Sequence, residues 1–292
     1  MKSANTTRLP VEPQPDLRLL RSAPRDVAVL VPAYRPSGAL EALIVRLADF
    51  GVPAILLVDD GSPAADSEVF ERLALHPRVH LLRHAENRGK GIALKTGIRY
   101  FLDHLPHYKG LVTADGQHTA EDILRLARAL HKSPRLAILG ARSFLPTPAF
   151  GAASGSSHAV SLRSRLGNRL TAALFRAVTS IALTDAQTGL RALPATLLPG
   201  LLDLPGSRYE YEMSVLLHIA RTRHPLAEQP VRTVCGTADS VSHFRPIADS
   251  LRVLRALLDR RSYGMQRVER RSDVGSVADH NHSSSARTVR AK

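Results

Sequence analysis

The chain has 292 residues and a single cysteine, Cys235, so it has room for one large domain or two small ones and no intramolecular disulfide framework. Forty Lys and Arg against 26 Asp and Glu give a formal charge of +14, a surplus that attracts nucleic acid, anionic lipid heads or diphosphates. With aromatics at 4% and no Trp, a base-stacking platform is poorly supplied, and nucleic acid is set aside as a partner. No apolar run approaches the roughly 18–20 residues that cross a bilayer, and residues 1–16 lack the apolar core of a secretory signal. The expectation is a cytoplasmic protein, soluble or peripheral at the inner face of the membrane.

Residues 1–25 carry no clean periodicity and read as a flexible arm. From Asp26 the pattern alternates. Short β-like runs at 27–31, 54–58, 79–82, 110–114 and 136–140 are separated by helix-length segments near 39–50, 66–75, 92–104 and 120–131. Alternation at this spacing predicts βαβ units: an α/β fold with a mostly parallel central sheet and helices on both faces. Ligands of such sheets bind beyond the C-terminal ends of the strands, which is where the polar clusters fall. Residues 143–157, rich in Pro, Gly, Ser and Ala, read as a loop. A helix follows near 158–181, with Arg165, Arg169 and Arg176 within about 40° of one another around the axis. They flank an apolar stripe of Leu162, Leu166, Leu170 and Leu174. Residues 26–245 form the expected domain, 246–262 an amphipathic helix bearing Arg252 and Arg255, and 263–292 a disordered basic tail.

Five clusters could carry chemistry. In Leu-Leu-Val-Asp-Asp-Gly-Ser (56–62), the carboxylates of Asp59 and Asp60 stand at a strand end, where they could accept hydrogen bonds from a nucleobase or ribose; an Asx turn is the structural alternative. Asn-Arg-Gly-Lys-Gly (87–91) precedes a helix, so its backbone N–H groups and Lys90 would favour an anion, unless the segment is a structural turn. In Val-Thr-Ala-Asp-Gly-Gln-His (112–118), Asp115 and Gln117 are hard oxygen donors spaced to meet on one Mg²⁺ or Mn²⁺. The alternative there is a β-turn with a helix cap before Glu121 and Asp122. Thr-Asp-Ala-Gln-Thr-Gly-Leu-Arg (184–191) and Arg-Tyr-Glu-Tyr-Glu (208–212) offer Asp185, Glu210 and Glu212 as acceptor contacts or bases. Ser-His-Phe-Arg-Pro (242–246) offers Arg245 to a diphosphate.

Each motif is weak alone, but their order is not. Val-Pro-Ala-Tyr (31–34), then Asp-Asp-Gly-Ser, Asn-x-Gly-Lys-Gly, Ala-Asp-Gly-Gln-His, Gln-Thr-Gly-Leu-Arg and Ser-His-Phe-Arg-Pro together resemble the family 2 glycosyltransferases. The resemblance runs from about residue 26 to 258 and is nearest the dolichol-phosphate mannose synthase-like, or polyprenyl-phosphate glycosyltransferase, branch. It implies a GT-A fold whose first half binds the nucleotide and whose second half binds the acceptor. Carried over position by position, Pro32, Tyr34, Asp59, Asp60 and Lys90 would line the nucleotide-sugar site, with Arg245 closing on the donor diphosphate. Asp115 and Gln117 would hold the metal. Arg142, Arg163, Arg165 and Gln187, with Glu210 and Glu212, would face the acceptor, and Asp185 matches the acidic residue of the acceptor motif.

Two positions depart from the pattern. Thr113 stands where the metal motif usually begins with Asp, and Arg35 and Pro36 replace the usual Asn-Glu. The implied reaction is inverting transfer of a hexose from a nucleotide-diphosphate sugar, of the GDP-mannose or UDP-glucose type, to a polyprenyl phosphate. A phosphate acceptor needs positioning and charge stabilisation more than deprotonation, which makes Arg142 and Arg165 acceptor clamps and Asp185 an orienter, with general base as its lesser alternative. The basic helices, or a separate membrane protein, would bring the chain to an anionic membrane surface. The rival expectations are a soluble transferase with a non-lipid acceptor, and a catalytically impaired nucleotide-sugar-binding homologue, which Thr113 would suit.

Overall fold

The computed structural model describes residues 7–8, 22–116, 118–142 and 162–231; of residues 7–8 and 162–166 only the backbone is described. The remainder of the expected arm, the loop 143–157, the helix 246–262 and the tail 263–292 lie outside the described residues.

Eight strands make one sheet in the spatial order β1-β8-β6-β7-β5-β2-β3-β4. They are β1 (Thr7–Arg8), β2 (Val27–Ala33), β3 (Ile55–Asp59), β4 (Val79–Arg83), β5 (Gly110–Thr113), β6 (Ala137–Arg142), β7 (Arg191–Pro194) and β8 (Leu226–Val231). All pairings are parallel except those of β7, which runs antiparallel to both β5 and β6. The helices are α1 (Gly38–Asp49), α2 (Ser67–Ala74), α3 (Lys90–His104), α4 (Ala120–Lys132), α5 (Leu162–Thr179) and α6 (Glu210–Arg221). The predicted β-like runs fall on β2 to β6, each within two residues of its bounds.

The alternation within a strand decides which layer each side chain joins. Val27, Val29 and Val31 of β2 enter a core with α1, α2 and α4, while Ala28 and Leu30 enter the opposite core with α3 and α6. Both faces are covered, so the strands carry near-continuous apolar runs, as buried parallel strands must. Proline is tolerated at position 32 for a local reason. Pairing between β2 and β5 ends at Leu30 and Thr113, so the missing N–H of Pro32 costs no ladder bond.

Four elements fall outside the sequence reading, the first being β1, a strand within the segment expected to be a flexible arm. β7 and β8 have no alternating signature, and α6 begins at a cluster read only for its carboxylates. On α5 the buried line is Asn168, Thr171 and Phe175, whereas Leu170 is 61% exposed. Of the expected leucine stripe, Leu174 packs partly against the core and the side chains of Leu162 and Leu166 lie outside the described residues; the buried face is the line of Asn168, Thr171 and Phe175. Polar residues take that face because they hydrogen-bond to the chain entering β7, as described below.

Candidate active site

Because β2, β3, β5 and β6 are parallel, their C-terminal ends share one edge of the sheet. β2 connects outward to β3 while β5 lies on its other side, so the order reverses between β2 and β5, the crevice where open α/β sheets bind ligands. β7 is antiparallel, and its N-terminal end, not its C-terminal end, reaches this edge: Arg191 pairs with Thr113. That reversal brings 184–191, a motif preceding a strand, together with motifs that follow strands.

Asp59 and Asp60 close β3 and are both buried. Asp59 Oδ1 accepts the Ser62 N–H at 2.9 Å, and Ser62 Oγ accepts the Arg35 N–H at 2.9 Å, which ties the exits of β2 and β3 together. Arg35 sits at φ 52°, in the left-handed region, with its guanidinium 5.6 Å from the Tyr34 ring centroid. Asp60, 3% exposed, accepts the N–H groups of Arg88 (3.0 Å) and Gly89 (2.8 Å), and its Oδ1 lies 2.7 Å from His84 Nδ1. Two of the backbone N–H groups expected to favour an anion before α3 are thus taken by the chain's own Asp60 carboxylate. Gly89 has φ 97°, and a Cβ there would lie 2.5 Å from the Ser207 carbonyl oxygen, so the turn before α3 is packed under the 206–208 loop.

Lys90 emerges from that turn into the centre of the site. Its Nζ is 3.4 Å from Asp115 Oδ2 and 3.2 Å from Glu212 Oε1, joining the ends of β5 and the first turn of α6. Burial disfavours the ammonium, but Glu212 and Asp115 outweigh it and push the Lys90 pKa above its ordinary value. Gly189 backs this trio: a Cβ there would lie 2.9 Å from Lys90 Nζ, 3.1 Å from Asp115 Oδ2 and 3.3 Å from Glu212 Oε1. Thr113 is buried and turned inward, its hydroxyl donating to the Gly189 carbonyl at 3.1 Å. His118 Nδ1 lies 2.9 Å from Asp115 Oδ1. Thr119 caps α4 by accepting the Asp122 N–H at 3.1 Å, so the helix-cap reading of this segment and the site reading hold side by side.

Arg142, at the end of β6, meets Asp185 through Nε (2.6 Å) and Nη2 (3.0 Å), a bidentate pair on a carboxylate that is 0% exposed. Burial lowers the Arg142 pKa, but Asp185 outweighs it, with Asp115 and Glu212 adding, so the net direction is up. Asp185 is in turn held from behind. Glu228 on β8, itself buried, accepts the N–H groups of Thr184 (2.7 Å) and Asp185 (3.2 Å) and the Thr184 hydroxyl (2.9 Å). From α5, Asn168 pairs with the Thr184 carbonyl and the Ala186 N–H, and Thr171 Oγ1 accepts from Gln187 Nε2 at 3.0 Å. Gln187 is exposed and gives one amide hydrogen bond to α5. Arg191, buried, donates to the carbonyls of Thr188 and Glu212 and fastens β7 to α6.

Of the expected site residues, the structure brings Lys90, Asp115, Arg142, Asp185 and Glu212 into one charged cluster. Pro32 and Tyr34 lie at the neighbouring end of β2. Glu210 faces the loop before its helix, accepting the N–H groups of Ser207 (3.0 Å) and Arg208 (3.2 Å). Gln117 and Arg245, and the side chains of Arg163 and Arg165, lie outside the described residues. The sequence reading did not single out His118, Gly189, Arg191 or Glu228. The first three lie inside quoted motifs and could have been found there; Glu228, in β8, gave no signal.

Comparison with known proteins fits this geometry. Structures of glucosyl-3-phosphoglycerate synthase from Mycobacterium tuberculosis, one of them in complex with Mn²⁺, UDP and glucosyl-3-phosphoglycerate, superpose at TM-score 0.61 over 87% of either chain at 17% identity. The fold is that of the GT-A glycosyltransferases. Among curated relatives, an uncharacterised protein of Methanocaldococcus jannaschii is 26% identical over 80% of this chain and 91% of its own length. The UDP-N-acetylglucosamine–dolichyl-phosphate N-acetylglucosaminyltransferase of Methanococcus voltae is 22% identical over 71% of this chain and 85% of its own. The undecaprenyl-phosphate mannosyltransferase of Micrococcus luteus is 28% identical over 71% and 83%. Residues 28–174 match the family model for glycosyl transferase family 2. The chain belongs to that family, and it is a nucleotide-sugar-dependent glycosyltransferase.

Proposed function

We propose that the enzyme moves a hexose from a nucleoside-diphosphate sugar, of the GDP-mannose or UDP-glucose type, to a polyprenyl phosphate, with inversion at the anomeric carbon. The observation that carries this reading is the Arg142–Asp185 pair: an arginine aimed by a fully buried carboxylate at the edge that also carries Asp115. Two relatives whose names specify dolichyl and undecaprenyl phosphate acceptors support it.

Donor binding in this reading uses Pro32, Tyr34 and Asp59 for the nucleoside, and Lys90 and Asp115 for the diphosphate. Asp60 contributes by shaping the turn before α3. A Mg²⁺ or Mn²⁺ ion is part of the proposal, and the residues fit one shared with the donor. Asp115 presents its carboxylate beyond a strand end, Thr113 is turned away, and among the described residues no group of three His, Cys, Asp or Glu could cage a metal. Few protein ligands suit an ion completed by phosphate oxygens. Held at Asp115, it would offset charge on the departing diphosphate.

The acceptor phosphate is already anionic near neutral pH. Its oxygen attacks the anomeric carbon as the bond to the nucleoside diphosphate breaks, and no proton has to leave the nucleophile. Arg142 orients that phosphate, and Asp185 orients Arg142 without itself acting as a base. The test is transfer from radiolabelled GDP-mannose and UDP-glucose, with Mn²⁺, to undecaprenyl phosphate in detergent or to soluble phosphate and sugar acceptors. Label is expected in the lipid phase; label only in a soluble product would overturn the acceptor assignment.

A further inference from the structure

We propose that Lys90 makes capture of a divalent cation at Asp115 depend on the nucleoside diphosphate, by holding one positive charge between Asp115 and Glu212. This rests on the cation site read above. The Lys90 ammonium is 3.4 Å from Asp115 Oδ2 and 3.2 Å from Glu212 Oε1, against the Tyr209 ring at 5.6 Å. The trio cannot spread apart freely. Lys90 is fixed by the turn that Asp60 holds, Asp115 by the end of β5, Glu212 by α6, and the Gly189 backbone closes the fourth side.

The charge count then decides what binds. The ammonium and two carboxylates sum to −1. A bare divalent cation would bring this enclosed cluster to +1, with an ammonium close to the carboxylate it seeks. A cation arriving with the two phosphate charges of a nucleotide sugar brings the cluster to −1 instead, and the ammonium turns from competitor to partner of the diphosphate. Without Lys90 the same counts are 0 and −2. The lysine therefore penalises the metal alone and favours the metal–diphosphate complex. Because Glu212 lies on α6, it also ties donor loading to the helix that begins in the acceptor half.

The experiment is Mn²⁺ binding followed by electron paramagnetic resonance, on Mn²⁺ alone and with UDP or GDP added. In the wild type the nucleotide should tighten Mn²⁺ binding about tenfold or more. Lys90→Gln should bind Mn²⁺ alone more tightly than wild type and lose most of that coupling, while Lys90→Arg keeps it. Where Lys90→Gln fails to fold, Glu212→Gln serves: it leaves Lys90 with one carboxylate and should weaken binding of Mn²⁺ alone. A folded Lys90→Gln, or failing that Glu212→Gln, that leaves Mn²⁺ affinity and coupling within about twofold of wild type overturns the proposal. Asp115→Asn separates the two levels. If it abolishes nucleotide-linked Mn²⁺ binding while Lys90→Gln changes nothing, only the lysine's role falls. If it retains that binding, the cation site falls as well.

Discussion

At Arg142 two guanidinium nitrogens meet Asp185, whose carboxylate is sealed from water and whose own backbone hangs on Glu228. Removing the carboxylate charge while keeping the shape leaves a partly buried cation without its counter-ion. Asp185→Asn should therefore lose about 3 kcal/mol in urea denaturation, the lower end for breaking a buried pair, along with most of the transfer rate. Full stability would show that the pair is solvated. Gly189→Ala acts differently, since the three atoms nearest the added methyl are side-chain ends, those of Lys90, Asp115 and Glu212. It should displace the charged cluster with little effect on the fold: roughly a hundredfold loss of kcat/KM, with the Tm within about 2 °C of wild type. A larger fall in Tm with activity retained would contradict this. Arg35 occupies a left-handed backbone position that costs a non-glycine residue about 1 kcal/mol and that Asn tolerates better. Arg35→Asn should raise the unfolding free energy by about 0.5 kcal/mol once the lost contact with Tyr34 is counted, seen as a higher urea midpoint. A lowered midpoint would mean that the contact outweighs the strain.

The turn between β4 and α3 is organised by an acceptor, not by the ligand its glycines suggest. Asp60 takes two backbone N–H groups and a His84 nitrogen, and His84 Nε2 lies 2.9 Å from Thr96 Oγ1 on α3. Asp60→Ala leaves those donors unsatisfied, at a cost of about 1–3 kcal/mol for each buried group. The measurable consequence is local: amide exchange at Arg88 and Gly89 should accelerate well beyond that in β3, and unchanged exchange would remove Asp60 from the turn. The local motif was legible in the sequence, yet its partner was not, because Asp60 and Gly89 lie 29 residues apart. The same holds for α5. Its leucines suggest one buried face, but Asn168 and Thr171 turn inward because the 184–187 segment offers them backbone and amide partners. Periodicity reads apolar pattern and cannot weigh a hydrogen bond to a segment not yet placed.

Across the whole molecule, charge and burial set the response to solution conditions. Among the described residues no helix is long and apolar enough to cross a membrane. Arg169 and Arg176 are exposed on α5, and we propose them as a contact with anionic lipid. Binding to anionic vesicles should be measurable at low salt, fall steeply as salt shortens the Debye length to about 8 Å near 0.15 M, and weaken on reversing both charges. Co-sedimentation indifferent to salt and lipid charge would rule that surface out. Stability should respond to acid through His80, His218 and His224, which burial holds below the ordinary histidine value of 6.5. Below that value the unfolded chain takes up protons that the folded chain resists, so stability falls as pH drops through it and is kept above it. The Tm at pH 5.5 should lie about 3 °C or more below that at pH 7.5, and equal values would show the imidazoles to be solvated.

The α/β architecture, the parallel strands β2 to β6 with the helices between them, and the motifs that follow strand ends were legible in the order of the residues. Those follow from local rules: fully buried strands read as continuous apolar runs, helices follow them at regular spacing, and parallel strands must end together. The rest came from packing between segments far apart in the chain. β7, Arg-Ala-Leu-Pro, is four residues long and opens with a charge, so nothing local marks it as a strand. It becomes one because β5 and β6 leave a gap that it pairs across, and because carbonyls of Thr188 and Glu212 satisfy Arg191. Its reversed direction brings Asp185 to Arg142 across 43 residues and sets Gly189 against Lys90, Asp115 and Glu212. A charge in sequence states only its sign. Which other charges stand within a few ångströms of it, and so what it can bind, is fixed by strand order.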